Sequence, residues 1–177
     1  MEIYLIRHTT PLIEKGICYG KSDIPLAESF EEEWKRIQEK LPESIDCIFS
    51  SPLSRCLLLA EKLQQSYHVP LLQDIRLMEM NFGEWELKAW NDMDQTSLNK
   101  WMNNYVSEIC PGGESYSDLI YRVKEFIQEL RKLSDKKILI ITHGGVIKSF
   151  YTLLDIYTPE EAMKQPVVYG GIYQFML

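Results

Sequence analysis

Arg7 and His8 stand side by side near the start of the chain, Arg55 follows a Ser-Ser-Pro run, and His143 is followed at once by Gly144 and Gly145. Together these residue types suit phosphoryl transfer. A phosphate monoester is dianionic near neutral pH, and its transition state spreads charge over the equatorial oxygens. A guanidinium meets that charge bidentately, as a lysine ammonium cannot. A neutral imidazole can attack phosphorus and hold the phosphoryl group covalently, dividing one hard displacement into two. Neighbouring arginines favour the neutral imidazole by disfavouring its cation. The backbone N–H of Gly144, at a helix start, offers a further anion contact.

A departing alkoxide also needs a proton. Glu79, within Arg76-Leu77-Met78-Glu79-Met80-Asn81-Phe82-Gly83-Glu84-Trp85-Glu86, is the best donor, with Glu84 and Glu86 as close rivals on composition alone. Such a donor must be held protonated, through burial or through negative charge such as the bound phosphate itself.

The elements that must carry these residues are legible as apolar runs. Ile3–Ile6, Ile45–Phe49, Ile138–Ile141 and Ile172–Leu177 read as buried strands, and Val69–Gln73 as a fifth, at an edge because of Pro70. The first and third runs are almost unbroken, which suits a parallel sheet covered on both faces. Between them lie helical patterns. Ser51 and Pro52 read as a cap and first residue of a helix over Leu53–Leu63. Apolar residues from Leu119 to Leu133 recur at a three-four spacing within Ser115–Leu133, and Val146–Leu154 reads as another helix.

Alternating strands and helices predict an α/β three-layer sandwich with a mostly parallel central sheet and helices on both faces. Residues 80–114 fit the alternation poorly and hold Trp85, Trp90 and Trp101; they read as an inserted helical lobe or lid within a single domain. Arg7 and His8 fall at the carboxyl end of the first strand, Arg55 in the first turn after the second, and His143 at the end of a later one. All four therefore point to one sheet edge, where open α/β sheets bind ligands.

Of 177 residues, 45% are hydrophobic and 25% charged, as in an ordinary globular chain. The formal charge of −7 argues against broad nucleic-acid or anionic-membrane binding, although a few local arginines can still draw a small anionic substrate. Cys18, Cys47, Cys56 and Cys110 form no CxxC pair, no apolar run approaches a membrane span, and the N-terminus carries no signal-peptide pattern; the expectation is a cytoplasmic protein.

Leu5-Ile6-Arg7-His8-Thr9 resembles the Arg-His-Gly signature of the histidine phosphatase superfamily, in the cofactor-independent branch related to phosphoglycerate mutases. The other motifs follow in order: Ser50-Ser51-Pro52-Leu53-Ser54-Arg55, Leu77 to Trp85, Gly112-Gly113-Glu114-Ser115, and Thr142-His143-Gly144-Gly145-Val146. The resemblance implies His8 as nucleophile, Glu79 rather than Glu84 as proton donor, and Arg7, Arg55 and His143 around the phosphate, with no cofactor. Thr9 replaces the usual glycine, and the asparagine common a little further on is replaced around Glu14. Arg7 to Pro11 together with Gly16 to Leu26 looks most like the α-ribazole-5′-phosphate phosphatase branch, with mutase or broad-range phosphatase activity as alternatives and a non-catalytic phospholigand binder as a further one.

Plainer readings apply elsewhere. His68 is an ordinary loop histidine, the tryptophans are more often packing than ligand contacts, and Glu28–Glu33 reads as a solvated helix face. A metal site of His8, His143 and Glu79 is opposed by the fixed charge of the two arginines. Neither glycine pair has a nucleotide-loop context.

Overall fold

The computed structural model describes residues 1–134 and 137–177. Five strands, β1 (Glu2–Arg7), β2 (Cys47–Ser50), β3 (Leu71–Gln73), β4 (Lys137–Thr142) and β5 (Ile172–Met176), form one sheet in the order β3-β2-β4-β1-β5. All neighbours are parallel except β5, which runs antiparallel to β1 at the edge. The helices are α1 (Phe30–Gln38), α2 (Ser54–Tyr67), α3 (Gln95–Asn104), α4 (Tyr116–Leu130), α5 (Gly144–Leu153) and α6 (Pro159–Lys164).

The central strands show why the sheet is sandwiched. Successive side chains point to opposite faces, and in β4 both sets are buried. Ile138 and Ile140 pack with Ile3, Leu5, Leu119, Val123 and Phe150 on the α4–α5 side. Leu139 and Ile141 pack with Ile6, Ile48, Leu59 and Leu63 on the α1–α2 side. The fold is thus the expected three-layer α/β sandwich. Among the described residues no helix is long and apolar enough to cross a membrane.

The register levels the strand ends. Arg7 pairs with Thr142, and Ser50 with Ile141. The backbone N–H of His8 donates to Thr142 O at 3.0 Å, and that of Ser51 to Ile141 O at 3.0 Å. His8, Ser51 and His143 consequently emerge together from one sheet edge.

The start of α2 differs from the sequence expectation. Ser51 remains tied to the sheet, so the helix begins at Ser54, with Leu53 in extended backbone before it. Its cap comes from far away: Asp23 Oδ1 accepts from Ser54 N at 2.9 Å and from Ser54 Oγ at 2.8 Å. The α4 start does follow local chemistry, with Ser115 and Asp118 forming a reciprocal capping box. The acidic run is only partly a solvated face. Glu31 and Glu32 are exposed, whereas Glu33 accepts the Thr10 N–H at 3.0 Å because α1 packs beside the loop leaving β1. His68 is exposed, in left-handed backbone after α2.

Segment 80–114 contributes two 3₁₀ turns, Gly83–Trp85 and Trp90–Asp92, together with α3. Its aromatics pack on one another. Trp90 and Trp101 stack with centroids 6.2 Å apart, and Phe82 meets both edge-on.

Because a side-chain cap is worth about 1 kcal/mol, Asp23→Ala is expected to lower the unfolding free energy by about that amount in urea titrations. An unchanged midpoint would show the cap to be idle.

Candidate active site

His8 leaves β1 into the interior and is 1% exposed. Its Nδ1 lies 2.7 Å from Thr9 O. A carbonyl can only accept, so Nδ1 carries the proton and Nε2 keeps its lone pair. Burial, the Arg55 charge and the Arg7 charge push the His8 pKa from the usual 6.5 to about 3, against the opposing hydrogen bond to Thr9. The imidazole is therefore neutral and oriented.

His143 is also fully buried, with its ring 5.2 Å from that of His8 and edge-on to it. Its Nε2 lies 2.8 Å from Ser51 Oγ, and Cys56 Sγ sits 3.4 Å from the same nitrogen. Burial first, then Arg55, His8, Arg7 and Arg122, hold its pKa well below the ordinary value. It stands behind His8 and does not itself line the cavity described below.

Both arginines are held by backbone carbonyls. Arg7 Nη1 donates to Val167 O at 2.5 Å. Arg55, fully buried in the first turn of α2, donates through Nη1 to Ser22 O at 2.7 Å and through Nη2 to Gly20 O at 2.5 Å. The Nε of each arginine is buried without a hydrogen-bond partner among the described residues. A buried guanidinium N–H left unpaired is costly.

The loop that holds Arg55 is organised by a residue whose function sequence reasoning missed. Glu86 accepts the N–H groups of Gly20, Lys21, Ser22 and Phe82 at 2.9–3.1 Å. Burial works to raise its pKa, but the hydrogen bonds from Ser22, Gly20, Phe82 and Lys21 carry it below the ordinary value. Glu86 is thus structural, and Glu84 is exposed and outside the cavity. Of the three acidic rivals, Glu79 alone reaches it.

Glu79 Oε1 accepts from Met80 N at 3.0 Å and Oε2 from Gly145 N at 3.1 Å. A Cβ on Gly145 would collide with that carboxylate, so residue 145 must be glycine for Glu79 to dock. Gly144 lines the cavity beside Arg7; its N–H, in the first turn of α5, has no intrahelical partner. The Glu79 loop is pinned by Arg122 of α4, which donates to the carbonyls of Arg76, Met78 and Glu79 and to the Glu114 carboxylate. An arginine bordering the buried face of α4 was the sequence signal for this role.

The cavity holds about 320 Å³. Arg7, His8, Arg55, Glu79 and Gly144 contribute its polar lining, and Phe82, Trp90, Trp101, Met80 and Leu119 much of its apolar lining. Lys148, one turn beyond Gly144 on α5, also lines it and donates to Met163 O at 2.7 Å. Burial lowers the pKa of Lys148, with Glu79 opposing and Arg7 reinforcing. Thr9 is buried beside His8, whereas Glu14 is exposed and outside the cavity. Among the described residues no group of three or more His, Cys, Asp or Glu side chains is arranged to hold a metal ion.

Two buried neutral histidines set a pH signature. Below about pH 6.5 the unfolded chain takes up protons that the native imidazoles refuse, so stability falls with pH from there toward pH 3. Imidazole ¹⁵N NMR at pH 5 is expected to show His8 as the neutral Nδ1–H tautomer. A His8 signal titrating near pH 6.5 would contradict this geometry.

The family model described as "Histidine phosphatase superfamily (branch 1)" matches residues 3–175. The chain is 29% identical over 169 residues to the adenosylcobalamin/alpha-ribazole phosphatase of Escherichia coli K12, covering 92% of this chain and 83% of that one. It is 24% identical over 160 residues to phosphoserine phosphatase 1 of Hydrogenobacter thermophilus, covering 87% and 76%. The crystal structure of the alpha-ribazole phosphatase from Shigella flexneri superposes with a TM-score of 0.90 at 26% identity, covering 98% of this chain and 89% of that one. With the family pattern running from residue 3 to residue 175 and paired histidines and arginines converging on one sheet edge, this chain belongs to the histidine phosphatase superfamily.

Proposed function

We propose that the protein is a phosphomonoesterase working through a phosphohistidine at His8, with α-ribazole 5′-phosphate as its substrate. The observation that carries the chemistry is the Nδ1–H bond to Thr9 O, which leaves a neutral Nε2 beside the buried Arg55 guanidinium and the half-buried Arg7 one. Arg7, Arg55 and the Gly144 N–H bind the phosphate oxygens, and the buried His143 supports the same end of the site. Nε2 of His8 attacks phosphorus as the bond to the ester oxygen breaks, and Glu79 gives its proton to that oxygen. Water then attacks phosphorus, Glu79 takes the water's proton, and the phosphorus–nitrogen bond breaks to restore neutral His8. No step draws on a metal ion.

The aromatic lining of the cavity supports the substrate assignment. A flat aromatic base on the leaving nucleoside matches the wall of Phe82, Trp90 and Trp101, and the E. coli and Shigella relatives carry the same substrate in their names. Lys148 favours a second reading. An ammonium on the cavity wall suits a leaving group that bears a carboxylate, as in phosphoserine.

His8→Ala is expected to abolish both turnover and the acid-labile phosphoenzyme; either one persisting at near-normal level would sink the covalent route. Glu79→Gln is expected to slow kcat by about 10²–10⁴-fold, measured with an alkyl phosphate whose leaving group needs a proton. Comparing kcat/KM for α-ribazole phosphate, phosphoserine, 3-phosphoglycerate and sugar phosphates settles the substrate. Equal efficiencies would remove the α-ribazole assignment, and transfer between phosphoglycerates in place of hydrolysis would identify a mutase.

A further inference from the structure

Two tyrosines that no step of the mechanism uses join the two halves of the phosphate end. Tyr169 lies with its ring centroid 3.8 Å from the guanidinium carbon of Arg7. Tyr19 lies with its ring centroid 5.5 Å from that of Arg55. Both distances fall in the range where a cation is attracted to an aromatic face. The two hydroxyls, 150 residues apart in sequence, meet at 2.5 Å. Each tyrosine therefore attends one arginine, and a single hydrogen bond links the pair.

The loops that carry them repeat this division. The Tyr169 loop is stitched to the end of β1: Gly170 N donates to the carbonyls of Arg7 and His8, Arg7 N donates to Gly171 O, and the Arg7 side chain donates to Val167 O. The Tyr19 loop grips Arg55 through Gly20 O and Ser22 O. Each loop thus forms a cradle for one guanidinium, built on a different edge of the site. Both tyrosines line the cavity, their exposed hydroxyl pair connects the cradles directly, and the Tyr169 ring also stands 5.5 Å from the His8 ring.

We propose that Tyr19 and Tyr169 are positioning residues whose mutual hydrogen bond ties the Arg55 cradle to the Arg7 cradle and so sets the spacing of the two guanidiniums around the phosphate. The proposal rests on the phosphatase reading above for the identity of the anion. Transition-state stabilisation by fixed donors depends on their being placed before reaction, because then no reorganisation is needed as charge develops. Two guanidiniums gripped by separately anchored loops meet that condition only if the loops are held relative to each other. The bridge does this without placing either hydroxyl on the reacting atoms.

A double-mutant cycle separates this coupling from independent contacts. Tyr19→Phe and Tyr169→Phe each delete one hydroxyl and leave the ring on its arginine. Either change breaks the same hydrogen bond, so the second adds nothing. Each single variant is expected to weaken binding of inorganic phosphate, read by titration calorimetry, and kcat/KM for phenyl phosphate by about 5-fold, the effect of losing one hydrogen bond. The double variant is expected to lose the same 5-fold, with the far-UV circular dichroism of all three unchanged. Multiplicative losses, about 25-fold in the double variant, would mean that each hydroxyl contacts the anion separately, and would overturn the proposal. Undiminished binding and turnover in all three would overturn it equally. A wild-type chain that binds phosphate but fails to hydrolyse phenyl phosphate would refute the phosphatase reading, and the calorimetric cycle would still decide the bridge.

Discussion

Everything at this site depends on holding two guanidinium charges against a buried imidazole without letting the imidazole become a cation. Arg55 is fully enclosed, and Arg7 lies against the same histidine. Charges in such a place persist only where backbone or side-chain acceptors compensate them. Here the acceptors are mainly carbonyls: Val167 O for Arg7, Gly20 O and Ser22 O for Arg55. Carbonyl dipoles stabilise a cation without adding a formal negative charge. A carboxylate in their place would neutralise the arginines and weaken their hold on a phosphate. The site thus keeps a net positive field inside a chain whose formal charge is −7.

The carboxylates that do matter act one remove away. Glu86 gathers four backbone N–H groups and so shapes the loop whose carbonyls face Arg55. Glu114 pairs with Arg122 and accepts the Asn81 N–H at 2.8 Å, while Arg122 holds three carbonyls of the segment carrying Glu79. Glu79 in turn docks against the α5 backbone at Gly145, so its carboxylate and the helix start beside Arg7 are located by one contact. Glu79 and His8 come from different segments, yet each is fixed by hydrogen bonds to rigid elements rather than by packing alone. That is the condition for catalytic groups to be ordered before substrate arrives.

The cavity lining combines two kinds of surface. Its polar residues, Arg7, His8, Arg55 and Glu79, suit any phosphate ester, while Phe82, Trp90 and Trp101 offer flat apolar surface to whatever else enters the cavity. These rings come from segment 80–114; they pack on each other and against the main core, and Trp101 by itself meets Phe82, Trp85, Trp90 and Tyr105. A wall stiffened this way can discriminate among leaving groups by shape without disturbing the sheet edge that performs the reaction.

The sequence by itself determined the strands, the sandwich, and the convergence of Arg7, His8, Arg55 and His143, because apolar periodicity marks strand ends and parallel strands must present those ends at one edge. It also singled out Glu79, but only through resemblance; from residue types, Glu84 and Glu86 were its equals. The tertiary structure separated them, since one carboxylate reaches the cavity, one faces solvent and one is consumed by four N–H groups, and no local pattern encodes which. It likewise moved the start of α2 from Pro52 to Ser54, because the sheet retains Ser51 and the cap arrives from Asp23, 31 residues away. The meeting of Tyr19 with Tyr169 belongs to the same class. Local signals come from neighbours in the chain and survive in sequence, whereas a bond between loops 150 residues apart exists only once the sheet has levelled their anchors.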